Sequence, residues 1–239
     1  MEDKSILKNL DAWDKRIILK YNGFGGMLFT NLLKIISFLG RETLWMVLTV
    51  FYLFIFYDSF LFSNISTVFL VGVLIIAPIK KLVGRDRPFE ALKNIEALER
   101  EPTSRSFPSW HSYNVASQGF LFIMMLNTPM VVIIVAFIVI FVSFSRIQLG
   151  VHYPTDVICG AFIGVFGFII ARFVLAPFLN SLMIFFEQFS IGDIYKQVIN
   201  PLLFENLFYL LLVVGLLSII IYLANYKWIV EHCSKSKRA

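Results

Sequence analysis

The sequence predicts an all-α fold, a polytopic bundle of transmembrane helices. Of the 239 residues, 58% are hydrophobic and 15% are charged, whereas soluble domains carry roughly 25% charged residues. The apolar residues lie in blocks of about twenty, the length that crosses a bilayer core of ~30 Å. Strands of a membrane barrel would be shorter and would alternate in polarity, so helices are predicted. Seven segments qualify as spans: residues 24–40, 44–60, 66–83, 112–127, 131–148, 157–175 and 207–224.

The spans divide the chain into four parts. Residues 1–23 form a polar N-terminal segment without the apolar stretch of a signal peptide, so the first span is expected to direct insertion. Residues 24–175 form a six-helix core. Polar side chains interrupt residues 176–206, which are predicted to lie as an amphipathic segment at the membrane interface. Residues 207–239 supply one extra transmembrane helix and a basic tail.

Charge and cysteine usage exclude several classes of function. The net charge is +5, but the cations lie in loops and at helix ends without interleaved aromatic side chains, so no nucleic-acid partner is expected. Cys159 and Cys233 form neither a metal-binding nor a disulfide pattern. Because the sequence also lacks a zinc motif and a glycine-rich nucleotide loop, we expect no metal or other cofactor. The predicted surroundings are membrane lipids, and the oligomeric state is left open.

The first of three polar motifs ends the third span. Lys80 and Arg87 are seven residues apart, so both side chains point from one helix face. Pro88 disfavours helical geometry at Arg87, which predicts the end of the helix there. Two cations on one face can bind an anion. Alternatively, they extend to the lipid headgroups and have no catalytic role.

The second motif, Pro108-Ser109-Trp110-His111, begins the fourth span. Ser109 is predicted as the N-cap, which leaves free backbone N–H groups and the positive helix end beside its hydroxyl. His111 then lies in the first turn, from which it can donate a proton. The alternative is an interfacial histidine that follows an ordinary cap.

The third motif, residues 145–156, joins the fifth and sixth spans. Pro154 suits the first turn of the sixth span, and Asp156 falls in the same turn with favourable dipole electrostatics. Because Asp156 follows His152 by four residues, its carboxylate can accept a bond from one imidazole nitrogen, which leaves the other nitrogen unprotonated and nucleophilic. Arg146 adds a planar fork suited to two phosphate oxygens. The alternative is a purely structural Arg–His–Asp cluster.

The three motifs are expected to meet. Two spans separate residues 84–111 from residues 149–156, so both segments lie on the same membrane face. Cations at the edge of a span are costly unless they bind an anion, and the adjacent histidines indicate that the anion reacts. Phosphate is the predicted anion.

Together, Lys-x6-Arg-Pro, Pro-Ser-x-His and Ser-Arg-x3-Gly-x-His-x3-Asp resemble the signature of the type 2 phosphatidic acid phosphatase superfamily, which also contains soluble vanadium haloperoxidases and bacterial acid phosphatases. The resemblance covers about residues 20–175. It implies a metal-independent mechanism in which His152 attacks phosphorus and Asp156 orients it, while His111 protonates the leaving group and then activates water. The side chains or amides implied to hold the phosphate oxygens belong to Lys80, Arg87, Ser109, Trp110 and Arg146.

The chain departs from the superfamily pattern at Trp110, where glycine is usual. The backbone N–H remains, so this residue stays among the predicted phosphate-binding groups. A positive φ would be costly for tryptophan. The ring is interpreted as an interfacial anchor or lid, with substrate selection and impaired activity as alternatives.

The resemblance implies an integral-membrane phosphatase that hydrolyses a lipid phosphate or diphosphate. Candidate substrates are undecaprenyl diphosphate, phosphatidylglycerophosphate, phosphatidic acid and lipid A phosphates. A lipid phosphotransferase with the same pocket and a catalytically impaired lipid-phosphate-binding protein are the alternatives. The resemblance also implies a multi-pass protein of the cell membrane, with its active site on the extracytoplasmic face and its N-terminus inside. The basic N-terminal segment agrees with that orientation, whereas seven spans would place the basic tail outside.

Overall fold

The structure is a computed structural model that describes residues 2–190 and 192–236, with side chains described for residues 5–190 and 192–226. Helices dominate, and the described residues contain no β-strand. The α-helices are α1 (Glu2–Tyr21), α2 (Gly26–Ser37), α3 (Glu42–Val50), α4 (Ser59–Val83), α5 (Pro88–Ala91), α6 (Trp110–Leu126), α7 (Pro129–Gln148), α8 (Pro154–Ile170), α9 (Ala176–Glu187), α10 (Leu202–Glu205) and α11 (Leu207–Ser236). Short 3₁₀ or π-helical turns occupy Phe38–Gly40, Phe51–Ile55 and Ala171–Leu175.

Long apolar helices confirm the predicted class, a polytopic membrane bundle. By length and composition, the stretches that can cross a membrane among the described residues are Ser59–Ala91, Pro129–Gln148, Pro154–Glu187 and Leu207–Tyr226. The fourth predicted span corresponds to α6, which is 17 residues long. The second predicted span, residues 44–60, overlaps the shorter apolar helix Glu42–Ile55 and the start of α4.

Two compact units divide the chain. The first comprises Met1–Glu42 and Thr67–Leu175, and the second comprises Thr43–Ser66 and Ala176–Ala239. Within the second unit, the carboxylate of Glu187 at the end of α9 accepts the Tyr57 hydroxyl at 2.8 Å and the Lys196 ammonium at 2.6 Å. These bonds hold the irregular segment that leads from α9 to α10 and α11. The three predicted motifs all lie in the first unit.

In the first unit, close contact between α6 and α8 brings the second and third motifs together. A Cβ on Gly160 would lie 2.4 Å from the Ser109 carbonyl oxygen, and a Cβ on Gly164 would lie 2.7 Å from that of Tyr113. Both distances are shorter than any real contact, so glycine at a spacing of four lets the two helices approach, as small residues do in membrane bundles. The approach brings the start of α6 against the first turn of α8, where the Ser109 N–H donates to the Asp156 carbonyl at 2.9 Å.

The first predicted span contacts the ends of α6 and α7 that lie near the motifs. It forms α2, which is bent by 118° from α1. Before α2, the Gly23 N–H donates to the carbonyl of Gln148 at the end of α7, at 3.0 Å. After α2, the Gly40 carbonyl accepts the Asn114 side chain at 2.9 Å, near the start of α6. Both ends of α2 therefore lie at the end of the bundle that carries the motifs, and so does the helix α1, which fills the N-terminal segment predicted only as polar.

Candidate active site

The structure brings the three motifs together at one end of the first unit. Lys80 lies in the last turn of α4, Ser109 caps α6, and His152 lies in the short loop between α7 and α8. Arg87 links the first motif to the third, because its Nη1 donates to the Val151 carbonyl at 2.8 Å. The second and third motifs are linked by the bond between the Ser109 N–H and the Asp156 carbonyl.

The orientation of the His152 imidazole follows from its contact with Arg87. Its Nε2 lies 3.2 Å from Nη1 of Arg87, and the His152 side chain is buried. A guanidinium can only donate hydrogen bonds, so Nε2 must accept and carry a lone pair. In the neutral ring the proton then resides on Nδ1, the nitrogen nearer to Asp156. The lone pair on Nε2 faces the cations, where an anion would bind.

The charge state of His152 favours nucleophilic attack. Burial lowers the pKa of His152 well below its ordinary value, and the positive charges of Arg87 and Lys80 lower it further. The imidazole is therefore neutral at neutral pH, the state in which its lone pair can attack phosphorus.

Asp156 is fully buried and heavily hydrogen-bonded. Its Oδ1 accepts Arg85 Nη1 at 2.7 Å, and its Oδ2 accepts the Tyr153 N–H at 2.8 Å and the Ser106 hydroxyl. The distance from Oδ2 to His152 Nδ1 is 3.5 Å, longer than an ordinary hydrogen bond. The predicted Asp156–His152 bond is thus an electrostatic contact in this structure, because other donors engage the carboxylate.

Arg87 anchors the loop that precedes α6. Its Nε donates to the Ser104 carbonyl at 2.7 Å, and its Nη2 donates to the Ser104 hydroxyl at 3.1 Å. Lys80 binds the same loop through the Arg105 carbonyl, at 2.6 Å from Nζ. Arg87 is therefore buried and Lys80 half-buried, and both cations of the first motif are bonded to backbone oxygens.

The Arg146 guanidinium is held by a carboxylate that the sequence analysis does not identify. Nη1 donates to Glu99 Oε2 at 3.1 Å, and Nη2 donates to Glu99 Oε1. Nη1 also donates to the Ser37 hydroxyl at 2.7 Å. The fork predicted to bind two phosphate oxygens thus binds two carboxylate oxygens in the same bidentate geometry.

The start of α6 has the predicted cap. Ser109 is extended, and its hydroxyl oxygen accepts the Ser112 N–H at 3.3 Å. His111 follows in the first turn, packs against Gly40 and lies within electrostatic reach of Arg146 and His152.

Trp110 begins α6 in helical geometry. Its φ is not positive, so the strain considered from the sequence does not arise. The indole packs edge-on against Phe69, with ring centroids 5.7 Å apart, and stacks on Tyr113 at 5.8 Å. The ring therefore lies against other aromatic side chains of the first unit.

Comparison with known proteins adds three findings. The family model described as the PAP2 superfamily matches residues 56–178. An undecaprenyl-diphosphatase of Sulfolobus acidocaldarius is 26% identical over 147 residues, which cover 62% of this chain and 70% of that protein. A decaprenylphosphoryl-5-phosphoribose phosphatase of Mycobacterium tuberculosis is 36% identical over 86 residues, 36% of this chain and 45% of that protein.

A solved structure shares the fold. The transmembrane PAP2 type phosphatidylglycerolphosphate phosphatase of Bacillus subtilis superposes with a TM-score of 0.57 at 23% identity, over 77% of this chain and 90% of that one. At this identity the likeness establishes the fold alone.

Proposed function

Because the chain belongs to the PAP2 superfamily, we propose that it is an integral-membrane phosphatase that hydrolyses a lipid phosphate or diphosphate through a phosphohistidine intermediate. The observation that carries the proposal is the pairing of His152 Nε2 with Arg87 at 3.2 Å. It supports a buried, neutral imidazole whose lone pair faces a guanidinium. An incoming phosphate can take the Arg87 N–H that now points at Nε2 and present phosphorus to the freed lone pair.

The first proposed step forms the intermediate. Nε2 of His152 attacks phosphorus, and the bond from phosphorus to the lipid oxygen, or to the bridging oxygen of a diphosphate, breaks. The negative charge of the bound phosphate favours the protonated form of His111, which gives that oxygen its proton. The phosphorylated imidazole becomes positively charged with its proton still on Nδ1, and the carboxylate of Asp156, 3.5 Å away, stabilises this charge.

The second proposed step returns the enzyme to its starting state. His111, now neutral, takes a proton from water as the water oxygen attacks phosphorus. The bond between phosphorus and Nε2 breaks, inorganic phosphate leaves, and His152 is neutral again. Arg87, Lys80, Arg146 and the capped start of α6 are proposed to hold the phosphate oxygens in both steps, so cations and helix N–H groups supply the electrostatic stabilisation.

The substrate class follows from the relatives and from the membrane setting. Two relatives are named for lipid-linked substrates, an undecaprenyl diphosphate and a decaprenylphosphoryl sugar phosphate. We therefore propose a phosphate or diphosphate headgroup on a lipid tail. We also propose the cell membrane as the location, with the site on the extracytoplasmic face. The choice of face depends on the superfamily resemblance alone. The basic residues of α1 do not support it, because α1 lies at the same end of the bundle as the motifs.

Purified protein assayed for phosphate release tests the proposal. The panel comprises undecaprenyl diphosphate, phosphatidylglycerophosphate, phosphatidic acid and a lipid A phosphate, each in the presence of excess chelator. We expect hydrolysis of at least one substrate, unchanged by the chelator and blocked by vanadate. No hydrolysis of any substrate, or activity restored only by added magnesium or zinc, would overturn it.

Glu99 gives a separate prediction, because its carboxylate occupies the fork of Arg146 that the phosphate is proposed to bind. Glu99→Gln removes the charge that competes with phosphate. We expect KM to fall by roughly tenfold, the equivalent of one charged hydrogen bond, with kcat little changed. The control is Glu96→Gln, an exposed carboxylate in the same loop, which should leave KM unchanged. A higher KM in Glu99→Gln would show instead that Glu99 orients Arg146 for binding.

A further inference from the structure

One buried carboxylate of the first unit has no part in the proposed mechanism. Asp14 lies on α1, and only 1% of its surface is exposed, although most side chains around it on that helix face outward. Its Oδ1 accepts the Thr155 N–H, in the first turn of α8, at 2.9 Å. Its Oδ2 accepts the Thr155 hydroxyl and Arg85 Nη2, the latter at 2.7 Å. Three donors therefore fix this carboxylate at the start of the helix that carries Asp156.

Arg85 connects Asp14 to Asp156. While Nη2 donates to Asp14, Nη1 donates to Asp156 Oδ1 at 2.7 Å and to the Thr155 hydroxyl at 2.8 Å. The guanidinium carbon Cζ also lies over the Tyr153 ring, 4.0 Å from its centroid. A planar fork that is bonded on two edges and stacked on a ring has one available orientation.

The arrangement has a consequence for charge as well as for geometry. A lone arginine beside Asp156 would neutralise that carboxylate and could turn toward a bound phosphate. Asp14 binds Nη2 of the guanidinium while Asp156 binds Nη1. Two carboxylates and one guanidinium together carry one net negative charge. Oδ1 of Asp156 is thereby engaged. Oδ2, which accepts the Tyr153 N–H and the Ser106 hydroxyl, lies on the side of His152 Nδ1.

We propose that Asp14 and Arg85 are positioning residues for the reaction: they hold the carboxylate of Asp156 in the orientation that stabilises the His152 imidazolium. The inference rests on the proposed function. It makes α1, which lies outside the three motifs, a required part of the active site.

The test compares Asp14→Asn with Asp11→Asn in the purified full-length protein. Asp11 lies one turn earlier on α1, where it is exposed and paired with Lys15 at 2.6 Å, so it is a matched control. Asparagine at position 14 can still accept the Thr155 N–H, but it loses the charge that holds Arg85. We expect kcat to fall by about 10- to 100-fold, the usual effect of a group that orients a reacting side chain, with KM within about twofold. Asp11→Asn should match the wild type.

Inhibition constants separate positioning from a general structural defect. Vanadate mimics the five-coordinate transition state and uses the His152 lone pair, whereas inorganic phosphate binds as the ground state. In Asp14→Asn we expect vanadate inhibition to weaken by about tenfold or more while phosphate inhibition is unchanged, because only transition-state binding is lost. Arg85→Lys, which keeps the charge without the fork, should show the same pattern, and the double variant should be no worse than the more impaired single one.

Two results would overturn the inference while leaving the proposed function intact: wild-type kcat in both single variants, or an equal loss of vanadate and phosphate binding. If Asp14→Asn does not fold, Arg85→Lys decides by the same measurements. Absence of lipid phosphatase activity in the wild type would overturn the proposed function itself, and the inference with it.

Discussion

His152→Ala is expected to lower kcat by about 10⁴-fold or more, the size of effect seen when a covalent nucleophile is removed. Among the described residues, no other imidazole has both a lone pair that faces a guanidinium and a carboxylate beside its second nitrogen. Alanine leaves Arg87 and Lys80 in place, so lipid phosphate should still bind. The measurement is kcat and KM for the best lipid substrate.

Two checks accompany this variant. Thermal unfolding in detergent should show that it folds, and added free imidazole should restore part of the activity by filling the vacated space. Turnover above about one hundredth of the wild-type rate, in a folded variant without imidazole, would be incompatible with a His152 nucleophile.

Arg87→Lys is expected to lower kcat by about 10²- to 10³-fold, the usual cost of losing a preorganised donor to developing charge. Lysine keeps the positive charge but has a single donor atom, which cannot reach the Val151 carbonyl, the Ser104 carbonyl and the imidazole together. Both the phosphate contact and the placement of the loop before α6 should suffer. KM should rise as well, since Arg87 is proposed to bind the ground-state phosphate.

Arg105→Lys provides the comparison for Arg87→Lys. Arg105 lies in the loop before α6 that Arg87 anchors, is about half exposed and pairs with the exposed carboxylate of Asp86. Exposed pairs of this kind contribute little, so this variant should retain wild-type kcat and KM. If the two variants lose activity to the same extent, the activity depends on the overall positive charge of this region and not on the guanidinium geometry of Arg87.

Local signals in the sequence predicted the helix ends that carry the motifs. Ser109 and Pro154 act on the backbone within one or two residues of themselves, and the structure places each at the start of a helix. The prediction that the third span ends at Arg87 was wrong: α4 ends at Val83, next to Gly84 with its positive φ, and Pro88 begins the separate helix α5. The polytopic class followed from the length of the apolar blocks. Both kinds of signal depend on neighbouring residues alone, which is why one sequence suffices for them.

The path of α2 could not be predicted from hydropathy. Residues 24–40 have the composition of a span, but Gly23, Gly25 and Gly26 adopt positive φ and turn the chain by a large angle between α1 and α2. Composition measures compatibility with an apolar environment and contains no information about direction. Because of this turn, α2 lies at the end of the first unit that carries the three motifs.

The charged partners of the site escaped the sequence analysis for a different reason. Glu99 is 47 residues from Arg146, and Asp14 is 71 residues from Arg85. No helical or strand periodicity relates positions so far apart, and each acidic residue lies in a segment rich in solvated charges. Only the folded chain shows that Asp14 is buried, that Glu99 is largely covered, and that both are bonded to arginines.

Identification of the phosphorylated residue tests the central claim most directly. The His111→Ala variant, which should be slow in the hydrolytic step, is mixed with a phosphorus-labelled substrate that has a good leaving group and is quenched within milliseconds to seconds. We predict an acid-labile, alkali-stable label on the peptide that contains His152, and no label when His152 is also replaced by alanine. A label on His111 of the wild type, or turnover with no labelled histidine at any quench time, would contradict the account.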